Sequence, residues 1–150
     1  MQDPRGIVGQ IARIREQANL LIERGLHARG ITGIVPAHGA ALKCLFEQNG
    51  PVPIKTVVEA VGRVKSTVTG MIQTLEQYGY VRKLRSESDG RVTPIELTEA
   101  GRALRGPFEA VSARLLEHIY GDMPAPDRQC LARLLERVER SLGDKEIQTW

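Results

Sequence analysis

The chain has 150 residues, 41% hydrophobic and 26% charged, which suffices for the core of one ordinary globular domain and is too little for two large ones. No run approaches the roughly 18 apolar residues of a membrane span, and the opening MQDPRG lacks the basic, apolar, small-residue order of a secretory signal, so a cytoplasmic protein without membrane contact is expected. The net charge of +3 is concentrated: between Lys55 and Arg91 seven Lys/Arg stand against four acids, leaving fourteen of each sign elsewhere.

From Pro4 to about Arg24, Ile7, Ile11, Ile14, Ala18 and Leu21 alternate spacings of four and three. That is the seam of a helix packing along another helix, within one subunit or between two. Pro4 suits its first turn and Gly25 its stop. After a loop, Ala41, Leu42, Leu45 and Phe46 give a short helix with one apolar face, closed by NGP. Two short helices follow, one ending near Val61 and one running from about Lys65 to Tyr78, with Gly62 between them: a helix-turn-helix candidate.

On the second helix of that pair, Val68, Ile72 and Leu75 fall on one side, and Ser66, Thr67, Gly70, Gln73, Thr74 and Gln77 on the other. A routinely solvated face in so charged a chain would carry Glu and Lys, yet only Lys65 and the flanking Glu76 are charged. Ser, Thr and Gln can donate to and accept from phosphates and base edges, whereas a carboxylate is repelled by phosphate.

Two strands are expected next, about Tyr80 to Leu84 and Val92 to Leu97, joined by SESDG. Pro94 has no N–H for a ladder, which predicts an edge strand or an outward-facing position. Arg82, Lys83, Arg85 and Arg91 gather on this hairpin with Glu87 and Asp89 between them. Beside a groove-directed helix they are candidates for a second contact in the electronegative minor groove. Asp89 would hold a guanidinium in one orientation.

Thr98 is placed to cap the next helix, with Glu99 in its first turn. Leu104, Phe108, Val111, Leu115 and Ile119 continue that helix to about Tyr120, with a kink or break at Gly106 and Pro107. A last helix carries Leu131, Leu134, Leu135, Val138 and Leu142 on one side and stops at Gly143.

Catalytic chemistry finds no foothold. His27, His38 and His118 are scattered, and HExxH, GxSxG and phosphate-binding glycine motifs are missing. His38 lies near an apolar helix face and reads as a core residue. Cys44 and Cys130 have neither CxxC spacing nor paired histidines, so neither a disulfide framework, a metal site nor a cofactor is expected.

The helix order, STVTGMIQTLEQYGYV and DGRVTPIELTEAG together resemble the MarR family of winged helix-turn-helix regulators. Asp89, Arg91, Leu97 and Thr98 match the family's D-x-R, five residues, L-T spacing, and Leu75, Glu76, Gly79 and Val81 its L-E-x-x-G-x-V segment. The resemblance implies a mainly α fold with a small β-wing (α+β). It also implies a single domain over 1–150, with a winged helix-turn-helix at about 36–104 flanked by dimerisation helices at about 4–29 and 107–142.

By the same resemblance the partners are double-stranded DNA and a second copy of the chain. Lys65, Ser66, Thr67, Thr69, Gly70 and Gln73 belong to the DNA-reading helix, with Ser66, Thr67, Thr69 and Gln73 in the major groove. Lys83, Arg85, Asp89 and Arg91 belong to the wing, with Arg91 in the minor groove. Ile7, Ile11, Ile14, Leu21, Leu115, Ile119, Leu131, Leu134 and Val138 become dimer surface. Lys83 and Gly70 stand where the family commonly has arginine. The function implied is a homodimeric repressor of a pseudo-palindromic operator, released by a small aromatic or lipophilic ligand. Redox sensing through Cys44, or a winged helix that binds protein instead of DNA, are the alternatives.

Overall fold

The computed structural model describes residues 3–85 and 94–143. After a single 3-10 turn at Pro4–Gly6 the elements are α1 (Ile7–His27), α2 (Gly39–Glu47), β1 (Val52–Pro53), α3 (Ile54–Val61), α4 (Lys65–Gln77), β2 (Val81–Lys83), β3 (Pro94–Leu97), α5 (Glu99–Ala103), α6 (Arg105–Tyr120) and α7 (Ala125–Leu142), with a further 3-10 turn at Pro36–His38. They fall into two compact units, Met1–Leu115 and Leu116–Trp150.

In the first unit the inner faces of α2, α3 and α4 meet the small sheet over a core that includes Leu42, Val57, Val68, Ile72, Leu75 and Ile95, all fully buried. Phe46 and Phe108 meet edge to face with ring centroids 6.0 Å apart, a favoured aromatic geometry. His38 is buried, and its Nδ1 accepts the Val35 N–H at 3.1 Å, so this polar side chain is satisfied in the core.

Three expectations need correction. Pro94 does not lie on an edge strand: the antiparallel sheet has the order β1-β3-β2, which makes β3 central. The two-residue β1, too short to show an alternating pattern, supplies the extra edge. Opposite Pro53, on the β1 side, Pro94 forms a pair that calls on no N–H, because in an antiparallel ladder its ring nitrogen and its carbonyl both face β2. On its other side, the Pro94 carbonyl accepts the Leu84 N–H at 2.8 Å.

Gly25 does not stop the first helix, which runs on to His27. The glycine instead admits a close neighbour, since a Cβ there would lie 3.0 Å from Val111 Cγ2. The interruption expected at Gly106 and Pro107 falls just before them, at Leu104 between α5 and α6. Pro107 cannot donate to the carbonyl of Ala103 four residues back, so the ladder breaks there and restarts with Pro107 in the first turn of α6.

On α1, Ile7, Ile11, Ile14 and Leu21 are 39–53% exposed, while Ala18 is half-buried. Leu115 on α6 is half-buried. In the second unit Ile119, Leu134, Leu135 and Leu142 are exposed, and Leu131 and Val138 half-buried.

Candidate nucleic-acid interface

The turn between α3 and α4 is made by Gly62 in the left-handed conformation (φ 67°), its N–H donating to Val58 O at 3.0 Å. α4 then presents two contrasting sides. Val68, Ile72 and Leu75 are buried, and Lys65, Ser66, Thr67, Gly70, Gln73 and Gln77 are exposed. Among the described residues no side-chain hydrogen bond occupies Ser66, Thr67 or Gln73, so their donors and acceptors face solvent.

Thr69 and Thr74 differ. Both are half-buried, and both hydroxyls donate back to the carbonyl four residues earlier, Thr69 to Lys65 O at 2.8 Å and Thr74 to Gly70 O at 3.1 Å. Each oxygen can still accept, but its proton is committed.

The helix's one carboxylate does not stand alone. Lys83 of β2 lies half-buried with Nζ 3.5 Å from Glu76 Oε2. Arg82 donates through Nε to Glu96 Oε1 at 2.6 Å across the β2–β3 pair. Two of the hairpin's cations therefore neutralise neighbouring acids, whereas Arg85 is exposed. Asp89 and Arg91 lie outside the described residues.

Thr98 joins the hairpin to the helix-turn-helix. Its N–H donates to Tyr80 O at 3.0 Å, its hydroxyl donates to Gly79 O at 2.5 Å, and its oxygen accepts the Gly101 N–H at 3.1 Å. One side chain thus caps α5, as its place in the sequence predicts, and also holds the end of β3 against the turn that follows α4.

Two exposed residues at this face are not singled out by the sequence pattern. Arg63 lies in the α3–α4 turn and bears no ion pair among the described residues. Val64 is the N-cap of α4 and is 68% exposed. The signal for both is adjacency to Lys65, a weak one because neither fits the apolar period.

A cleft of about 430 Å³ opens within the first unit, lined by Leu45, Phe46, Gln48, Leu97, Arg102 and Arg105 among others. Its arginines are already engaged: Arg102 Nη1 donates to Leu97 O at 2.8 Å, Arg105 Nη1 to Phe46 O at 3.2 Å and Arg105 Nε to Glu109 Oε1 at 2.9 Å, and Glu96 adds a carboxylate to the lining. Cys44 is buried, and desolvation, followed by the nearby Glu47 carboxylate, pushes its thiol pKa up, the reverse of what a reactive thiolate needs. Among the described residues no group of three His, Cys, Asp or Glu could hold a metal ion.

Residues 36–93 match the model of the MarR family. Over that segment the chain is similar to proteins of the MarR family. Among curated relatives it is 33% identical over 66 residues to the HTH-type transcriptional regulator YfiV of Bacillus subtilis, covering 43% of this chain and 41% of that one. It is 28% identical over 93 residues to the HTH-type transcriptional regulator SarZ of Staphylococcus haemolyticus, covering 62% of each. The chain thus spans between 41% and 62% of the length of these relatives.

Solved structures extend the likeness along the chain. The PcaV transcriptional regulator of Streptomyces coelicolor, determined with its natural ligand, superposes with a TM-score of 0.75 at 25% identity, covering 93% of this chain and 96% of that one. Bordetella bronchiseptica BpsR, whose DNA binding is regulated by 6-hydroxynicotinic acid, gives a TM-score of 0.72 at 20% identity over 89% of this chain and 98% of that one. At such identity the likeness to BpsR concerns the fold. The MarR winged-helix architecture, mainly helical with a three-stranded antiparallel sheet, is that of this chain. MarR-family regulators are not enzymes.

Proposed function

We propose that the chain is a cytoplasmic, homodimeric, sequence-specific DNA-binding regulator that represses a pseudo-palindromic operator and is released by a small molecule. The observation that carries this reading is the exposed face of α4, where Ser66, Thr67 and Gln73 keep unpartnered hydrogen-bonding groups among the described residues while the helix's one carboxylate is matched by Lys83. Such a face can approach phosphates and base edges without repulsion. A two-fold dimer would set two α4 helices about one duplex turn, ~34 Å, apart.

The exposed isoleucines of α1 and leucines of α7 support a dimer built from the terminal helices, about 4–29 and 107–142, because apolar residues at helical spacing gain most when a second copy covers them. The cleft, lined by Leu45, Phe46 and Leu97 with polar groups at its edge, supports a small ligand with an apolar body, in keeping with the regulators that resemble this chain and respond to, or bind, small molecules. Release requires the ligand to bind more tightly to a conformation that fits the operator poorly. Burial of Cys44 and its raised pKa favour this ligand-responsive reading over redox sensing at that thiol.

The experiment is a titration of the purified protein with its own upstream intergenic DNA, followed by a panel of small aromatic acids added to the complex. Retardation of a discrete upstream fragment, reversed by one of the acids, is the expected result. Binding to other proteins with no preference for any fragment would support a protein-interaction module instead.

A further inference from the structure

The N-cap is the helix position most selective for Ser, Thr, Asp and Asn, because a side-chain oxygen there accepts an otherwise unpaired backbone N–H. In α4 it is Val64, with extended backbone (φ −62°, ψ 148°) and no side-chain cap. Nor does packing compensate for the missing cap, since the valine is 68% exposed, whereas Val68 and Ile72, the apolar residues that follow it on the helix, are fully buried. A β-branched apolar residue in a polar position, held out into solvent beside Lys65, Ser66 and Thr67, breaks a local rule without a compensating gain inside the folded chain.

The gain lies outside it. In a helix-turn-helix, the N-terminal end of the second helix is the part that reaches base edges. In the major groove, the one apolar group on any base edge is the thymine C5-methyl. We infer that Val64 is a specificity-determining residue whose methyl groups pack on a thymine methyl in each half-site, so that the operator carries a fixed thymine read by hydrophobic contact and not by hydrogen bonding. This rests on the DNA-binding reading above and adds to it a base identity, which Ser66, Thr67 and Gln73, able to donate and accept, do not specify by themselves.

The test uses the full-length protein and a duplex selected by it from a pool with a randomised core. Thymines of the selected duplex are replaced one at a time by deoxyuridine, which deletes only the methyl. Burying one methyl is worth about 0.8 kcal/mol, so one thymine per half-site should show an affinity loss of about fourfold on replacement. Val64→Ser, which restores a capping hydroxyl, should bind thymine and deoxyuridine duplexes equally at that position while melting no lower than the parent chain. Val64→Ile should keep the preference. The inference is overturned if no single deoxyuridine weakens binding, or if Val64→Ser retains the same fourfold preference. Failure to select any duplex would overturn the DNA-binding reading along with it, whereas selection without a methyl effect removes the Val64 contact alone.

Discussion

The ring of Tyr78, at the C-terminal end of α4, lies directly over the backbone of Gly33 in the loop between α1 and α2. A Cβ on Gly33 would fall 2.1 Å from Tyr78 Cζ, and its φ of +78° is one that side chains rarely adopt. Tyr78 also stacks on Tyr80, with centroids 6.4 Å apart and planes 14° from parallel. The loop that follows α1 thereby fixes the far end of α4.

Gly33→Ala should therefore lower stability by about 2–4 kcal/mol, combining left-handed strain with overpacking against the ring. In a Tyr78→Ala background the same substitution should cost only about 1 kcal/mol, the backbone part. Urea unfolding of the four proteins checks this. Equal costs in both backgrounds would mean that the ring does not confine the loop.

A second close approach is stricter. A Cβ on Gly101 would lie 1.9 Å from the backbone oxygen of Tyr80, which cannot rotate aside as a side chain can. Gly101→Ala should destabilise the chain by more than about 3 kcal/mol. Thr98→Ala, which removes the cap on α5 and the bond to Gly79, should cost about 1–2 kcal/mol, with Thr98→Ser recovering most of it. Thermal melts that rank the alanine at 101 no worse than that at 98 would contradict the packing described.

These two positions also show what is legible from sequence. Thr98 stands out as a cap candidate, and its hydroxyl and backbone N–H do reach Gly79, Tyr80 and Gly101 at once. The buried side of α4 is equally plain, because helical periodicity reports burial directly. What sequence does not supply is partnership across elements. Nothing local reveals that Lys83 reaches Glu76, that Val52 and Pro53 add a strand outside Pro94, or that Gly25 serves Val111 and not a helix end.

Lys83 is a candidate for direct DNA contact, and its pairing with Glu76 gives it an electrostatic role toward the helix as well. Lys83→Met should change stability by less than about 1 kcal/mol, since the pair is only partly withdrawn from solvent. It should still weaken DNA binding, because Glu76 is left as an unmatched carboxylate on α4. Adding Glu76→Gln should restore part of the affinity. No recovery in the double variant, measured by fluorescence anisotropy, would place Lys83 on phosphate directly.

His38 gives the fold a pH dependence. Burial lowers its pKa below the ordinary 6.5, and its Nδ1 must stay unprotonated to accept the Val35 N–H. The unfolded chain then takes up this proton more readily than the folded one, so the contribution is fully present above about pH 6.5 and is lost as pH falls through that value toward the lowered folded pKa. Urea midpoints at pH 7.5 and 5 should drop more for the parent chain than for His38→Gln, whose amide oxygen can accept the same N–H. Identical drops would remove His38 as the cause.

The apolar faces predict oligomeric state. Ile14→Glu on α1 and Leu134→Glu on α7 each place a charge on a residue about half exposed in the isolated chain. Each should shift the protein toward monomer, given roughly 1.5–3 kcal/mol for burying one such side chain. Sedimentation that shows an unchanged dimer for both would mean that these faces are not its surface.

If the face of α4 and the flanking cations lie against nucleic acid, binding to a selected duplex must depend on salt. Affinity should fall linearly with salt on logarithmic axes, with a slope of several from phosphate neutralisation by both copies. In Arg63→Gln and Lys65→Gln, on either side of Val64, the slope should be shallower by roughly one for each phosphate that the variant no longer neutralises. An affinity unchanged between low and high salt, or slopes identical in the parent and both variants, would place this face away from phosphate.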